Sequence, residues 1–250
     1  MELDIDGRAG LVTGATSGIG RATAVALAAE GVRLAVQGRR KEQLDELAGE
    51  IEASGGRRPA VVVCELLDAD AAEVVARAAT EALGSVDILV NNAGGSRPLG
   101  VDATDEAWDE ATTLNFTRHR QLATRLLPAM RSAGWGRIIN ITGKSEPPTV
   151  NGAVVAKAAV MSWSKGLSRD VGHDGVTVNC VAPGKIMSDQ ILRNYSPEFR
   201  ERQAADDIPV GRYGQPVDVA NLVCYLASER AAYLTGIVVP VDGGMRRHSF

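Results

Sequence analysis

The chain is poor in the residues that several functional classes require. It holds only three cysteines, Cys64, Cys180 and Cys224. They lie far apart, each in an apolar stretch and not at metal-ligand spacing, so buried thiols are expected instead of a redox or metal centre. Histidine is as scarce: His119, His173 and His248 form no metal-like group. No apolar run approaches the ~18 residues of a membrane span, and no basic segment leading into an apolar run opens the chain. A cytoplasmic protein without a membrane partner is expected. Charge of one sign is not concentrated either. The net charge is -4, Arg131, Arg137, Arg246 and Arg247 are scattered and read as solvated surface, and no basic run is long enough for a nucleic-acid footprint.

What is present is the material of a single α/β core. A chain of 250 residues that is 45% hydrophobic suffices for one large domain spanning 1–250. Apolar strand-like runs at Leu11–Thr13, Leu34–Gln37, Ala60–Val63, Ile88–Val90, Arg137–Ile141, Val176–Val181 and Ile237–Val241 alternate with helical patterns. Helices are expected at Lys41–Ala53, Ala69–Leu83, Asp105–Arg131, Gly152–Val171 and Pro216–Ser228. That alternation predicts a Rossmann-type doubly wound parallel sheet of about seven strands, whose strands read as continuous Val/Ile/Leu runs because both faces are covered.

The most informative segment is Leu11-Val-Thr-Gly14-Ala-Thr-Ser-Gly18-Ile-Gly20, in which a strand runs through three glycines into a helical pattern. Without Cβ atoms the backbone turns sharply and comes close to a phosphate, while the helix behind it presents free N–H groups and its positive dipole end. A pyrophosphate-binding loop is the reading. Between Lys185 and Pro209 the chain turns polar just after the sixth strand. Open α/β sheets bind ligands at the carboxyl ends of their strands, so 185–209 is read as a substrate lid.

Further segments follow in order: Asn91-Asn-Ala-Gly94, Asn115 in a long helix, Lys157 in another, Pro183-Gly184, and Val241-Asp-Gly-Gly244. With the glycine loop, these make the whole chain resemble the short-chain dehydrogenase/reductase family in its compact single-domain form. The resemblance implies that Gly14, Ser17, Gly18, Ile19 and Gly20 hold a pyrophosphate. It implies that Asn91, Ala93 and Gly94 border the adenine ribose, that Glu65 and Leu66 meet the adenine, and that Ile186 and Ser188 after Pro183-Gly184 meet the nicotinamide carboxamide. Lys157 is implied to bond the nicotinamide ribose, with Asn115 organising a water path toward it. Charge bears on the cofactor. Gln37-Gly38-Arg39-Arg40 offers no carboxylate to a ribose 2′-hydroxyl but two guanidinium groups to a 2′-phosphate, favouring NADP(H) over NAD(H).

The chain departs from the family pattern where protons are handled. The resemblance implies a tyrosine four residues before Lys157 and a serine at the preceding strand end; these positions hold Ala153 and Gly143. A phenol beside an ammonium is a general acid, and alanine is not. The polar loop Lys144-Ser145-Glu146 supplies candidate replacements: Ser145 to bind a substrate oxygen, Lys144 to stabilise negative charge, Glu146 to exchange protons. Tyr195 from the lid is a further candidate. Dienoyl-CoA reductases within the broader family also lack that tyrosine, which keeps C=C and C=N bonds beside C=O among the expected targets in a small-molecule substrate. The alternatives are a nucleotide-binding pseudoenzyme and a non-redox isomerase or elimination catalyst on the same fold. A homo-oligomer, dimer or tetramer, is implied by the family through the helix at Gly152–Val171, with Val154, Val155, Ala158, Met161 and Trp163, and through the last strand.

Overall fold

Each apolar run becomes a strand because its alternate side chains are buried on opposite faces of one sheet. In β1 (Ala9–Thr13), Leu11 joins one hydrophobic cluster and Val12 the other. In β4 (Ile88–Asn91), Ile88 and Val90 go one way and Leu89 the other. The remaining strands are β2 (Arg33–Gly38), β3 (Ala60–Val63), β5 (Gly136–Ile141), β6 (Val176–Pro183) and β7 (Val238–Val241). This computed structural model describes residues 2–96, 98–143 and 149–247, apart from the side chain at position 190. The strand order is β3-β2-β1-β4-β5-β6-β7, with every pairing parallel. The doubly wound α/β sheet expected from the sequence is therefore present.

The helices α1 (Gly18–Ala29), α2 (Lys41–Ala53) and α9 (Pro216–Ala227) cover one face through residues such as Leu27, Leu47 and Val223. On the other face lie α3 (Ala71–Leu83), α5 (Arg118–Ala133) and α6 (Gly152–Val171), contributing Val75, Leu122 and Val171. The direction in which successive strands are added to the sheet reverses between β1 and β4. Both strands end in the crevice where such sheets take ligands. Asn151 seats α6 against this crevice: its Oδ1 accepts from the N–H of Ala153 at 3.0 Å, satisfying a donor that the helix start leaves open.

Three expectations need correction. The single long helix from Asp105 is divided into α4 (Asp105–Thr112), a π-helical turn (Thr113–Thr117) and α5, because Asn115 spends its side-chain amide on the carbonyl of Ala111 at 2.9 Å. The helix expected from Ala69 starts at Ala71. Arg137 is not solvated surface but 1% exposed. It lies beneath Trp135, 4.2 Å from the ring centroid. Its guanidinium donates to the carbonyls of Gly136 and Ser228 and to Glu229, the satisfaction a buried cation requires. The polar segment 185–209 carries two helices, α7 (Asp189–Asn194) and α8 (Pro197–Asp207). They rest on Met187, Ile208, Tyr213 and Met245. Among the described residues no helix is long and apolar enough to cross a membrane.

Candidate active site

A cleft of about 800 Å³ runs along the carboxyl ends of the strands. Gly14, Ser17, Gly18 and Ile19 line one end. Gly14 and Gly18 have φ of +64° and +55°, the left-handed region where a side chain is strained. The first turn of α1 contains no acidic residue, and the Ser17 side chain makes no capping bond, so its leading N–H groups and dipole face the cleft uncompensated. Gly20 is not on the cleft wall. It is buried against the carbonyl of Gly14 and the amide of Asn92, where an added Cβ would overlap both.

The rim above this loop is basic. Arg40 donates to Thr16 Oγ1 at 2.9 Å, and Arg39 pairs with Glu65 at 3.1 Å. Glu65, Leu66, Ala93 and Gly94 line the cleft, as do Pro183, Gly184, Ile186 and Ser188 at the far side. Arg118 holds the Leu66 edge in place, donating to the carbonyls of Leu66 and Asp68 at 2.6 and 2.7 Å. Ser188 Oγ is engaged in capping α7, accepting from the N–H of Ile191 at 3.3 Å. Asn91 does not line the cleft. It shares the strand face of Leu89, is fully buried, and donates to Asn140 Oδ1 at 2.8 Å and to the carbonyl of His119 at 3.2 Å. Its neighbour Asn92 lines the cleft, bonded to the Thr13 and Gly14 carbonyls at 2.9 and 3.1 Å.

At the floor stands Lys157, half-buried, its Nζ donating to the carbonyl of Thr142 at 3.0 Å. Burial pushes its pKa down from 10.5 to about 8. Asn115 lies behind the wall, fully buried, with Oδ1 accepting from the N–H of Gly95 at 3.1 Å. Ala153, 5% exposed, lines the cleft one helical turn before Lys157. Tyr195 stacks on Phe199 with ring centroids 5.0 Å apart and is not among the residues lining the cleft. Lys144, Ser145 and Glu146 lie outside the described residues.

The family described as enoyl-(acyl carrier protein) reductase matches residues 14–246. Nodulation protein G from Rhizobium sp. is 38% identical over 246 residues, 97% of this chain and 98% of its own. The 3-oxoacyl-[acyl-carrier-protein] reductase FabG of Staphylococcus aureus is 37% identical over 243 residues, 95% of this chain and 98% of its own. The chain belongs to the short-chain dehydrogenase/reductase family. The solved L-sorbose reductase from Gluconobacter frateurii, complexed with NADPH and L-sorbose, superposes with a TM-score of 0.91 at 30% identity, covering 99% of this chain and 100% of its own. The activity class follows: the chain is an NAD(P)-dependent oxidoreductase, in line with relatives named as reductases.

Within this short-chain reductase, several residues at the cleft escaped the sequence reading. Gln37, the last residue but one of β2, is nearly fully buried, accepting from the N–H of Gly14 at 3.2 Å and donating to the carbonyl of Cys64 at 2.8 Å; it braces the glycine loop. Thr13 Oγ1 accepts from the N–H groups of Asn92 and Ala93, both at 3.0 Å. Arg246 and Arg247 line the cleft at its outer end, though read as plain surface. The signal for Asn92 was the period of two, which turns Asn91 into the sheet face and its neighbour out of it.

His119 also belongs to this corner. Its Nε2 meets the carbonyl of Ala93 at 2.7 Å, Nδ1 has no partner, and burial, with the Lys157 charge as a lesser opposing contribution to protonation, pushes its pKa down to about 4. A folded-state pKa below the unfolded value of 6.5 means the unfolded chain binds the proton first, so stability is lost as pH falls from 6.5 toward 4. Urea unfolding across that range is expected to show a loss of about 3 kcal/mol from this residue. In His119→Gln that component of the slope disappears; an unchanged slope contradicts it.

Proposed function

We propose that this chain is an NADP(H)-dependent reductase of atypical active site, acting on a C=O, C=N or activated C=C bond of a small substrate. The carrying observation is convergence. A glycine-rich anion cradle with an uncompensated helix end, a rim bearing Arg39 and Arg40, and Lys157 at the floor share one cleft. The residues fit a dinucleotide: Gly14, Gly18 and the start of α1 would hold the pyrophosphate, Arg39 and Arg40 a 2′-phosphate, and Lys157 the nicotinamide ribose. When bound, the dihydronicotinamide supplies a hydride. Gly94 lets this part of the wall lie close against Asn115, since a Cβ there would lie 2.8 Å from Asn115 Oδ1. Asn115 acts through this wall as a positioning residue, fixing Gly95. Ser145 and Lys144 complete the proposed catalytic set. A homo-oligomer is proposed with the outward face of α6, where Val155 is 54% exposed, as its contact.

Ala153 favours a second reading, a nucleotide-binding protein or non-redox catalyst. Loss of dihydronicotinamide absorbance over a panel of ketones, enoyl compounds and imines separates the two, with wild type beside Ala153→Tyr. Wild-type turnover is expected on at least one class, with the added phenol changing it by less than the ~10²–10⁴-fold of a missing general acid. A silent wild type whose variant gains ketone reduction overturns the reductase reading.

A further inference from the structure

Resting on the reductase reading above, we propose that the Lys157 ammonium is itself the proton donor to the reduced substrate, in the place of the phenol that Ala153 cannot supply. Here the position one turn earlier on the same face of α6 is Ala153, whose methyl lines the cleft. Among the described lining residues there is no tyrosine, histidine or cysteine, and the second lysine, Lys185, holds its Nζ 5.5 Å from the centroid of the Tyr195 ring.

Two of the three described lining carboxylates, Glu65 and Asp242, are occupied elsewhere. Glu65 pairs with Arg39 and accepts from the N–H of Leu67 at 3.2 Å. Asp242 accepts from the N–H groups of Gly244 and Arg246, at 2.9 and 3.0 Å. Asp207 ends the lid helix α8.

Among the described residues the Nζ protons are only partly engaged. One is donated to the Thr142 carbonyl at 3.0 Å. On its other sides stand Gly94, where a Cβ would be 3.7 Å from Nζ, and Gly143, where a Cβ would be 4.0 Å from Cδ. Two residues without side chains thus border the ammonium, and its remaining N–H bonds are not covered by them. The facing charged and titratable groups are few. His119 of α5 lies behind Ala93, held neutral by burial. From α4, the π-helical turn, β5 and β6, no ion pair to Lys157 occurs among the described residues, and burial is the cause that lowers its affinity for the proton. An acid poised near the working pH transfers protons best, and an ordinary exposed lysine is too weak an acid for this.

The step balances as follows. As carbon of the C=X bond takes the hydride supplied by the bound dihydronicotinamide, the π pair moves to X. One Nζ–H bond breaks, its proton joins X, and the bonding pair remains on nitrogen as a neutral amine. Water returns a proton to the amine before the next turnover.

The test compares wild type, Lys157→Arg, Lys144→Ala and Ser145→Ala on whichever substrate class the panel identifies. Arginine keeps the positive charge but does not release its proton in this range. Lys157→Arg is expected to lower kcat about 100-fold or more, the scale of a general acid, while calorimetry still detects NADPH binding. Wild-type kcat is expected to decline tenfold per pH unit above about 8, and the two loop variants to retain that break. A readout free of turnover is the titration of ¹³C-dimethylated lysines by NMR. One resonance with a midpoint near 8, absent in Lys157→Arg, is expected. Overturning results are a wild-type profile flat through that range, a Lys157→Arg variant that keeps its rate, or a break that vanishes in Lys144→Ala or Ser145→Ala. A wild type silent on every class, with NADPH binding intact, removes the reductase reading and this proposal with it. An active wild type with a flat profile removes this proposal alone.

Discussion

Arg39→Asp is expected to turn a preference for NADPH into one for NADH, changing the ratio of the two affinities by about 10³-fold, because a charge-assisted hydrogen bond worth about 1.5–3 kcal/mol is replaced by repulsion of similar size. In the structure Arg39 faces Glu65 at 3.1 Å, with its side chain 70% exposed. An exposed pair of this kind contributes little, so a 2′-phosphate, with twice the charge and more acceptor oxygens, displaces Glu65 at small cost. Arg40, bonded to Thr16 and Ser17, remains to hold the phosphate loop side. A carboxylate at position 39 instead accepts from a ribose 2′-hydroxyl. Calorimetric titration with both nucleotides reads the ratio directly. An unchanged ratio would mean that the two arginines merely open α2.

The sheet was legible because both of its faces are covered. Continuous runs such as Ile88 to Val90 have no polar alternation to mislead, and all seven appear as strands within two residues of their expected limits. The glycine loop was legible for a related reason: few requirements other than close backbone approach explain three glycines between a strand and a helix. What escaped were residues whose task is set by three-dimensional neighbours. Gln37 reads as a strand-end polar residue until Gly14 and Cys64 are found on either side of it. Arg137 reads as surface until Trp135 and Glu229 close over it. The π-helical turn at Asn115 leaves no mark in hydrophobic periodicity, because it arises from one side-chain amide competing with the backbone ladder. The Lys144-Ser145-Glu146 loop, the part of the candidate site with the strongest chemical claims in sequence, lies outside the described residues, so its roles rest on mutation.

Gly20→Ala is expected to cost more stability than the ~1–3 kcal/mol of ordinary overpacking and to weaken NADPH binding by about 100-fold or more. The reason lies in what the new methyl would meet. Its Cβ would overlap the Gly14 carbonyl oxygen and the Asn92 side-chain nitrogen, and neither can retreat. Gly14 is fixed at φ +64° with its N–H on Gln37, and the Asn92 amide is tied to the Thr13 and Gly14 carbonyls. Relief therefore requires α1 to lift from β1. That motion withdraws the leading N–H groups of α1 from the phosphate position and loosens Leu27 and Ala24 from the core they help to fill. Stability and nucleotide affinity are coupled through one backbone contact, so the two losses should appear together in urea unfolding and in calorimetry. Gly18→Ala is the control. Its Cβ would meet nothing within 4 Å, so only the strain of its φ of +55° is added, about 1 kcal/mol, and the helix stays seated. A Gly20→Ala protein as stable as Gly18→Ala would show that α1 is not held at the distance this contact sets.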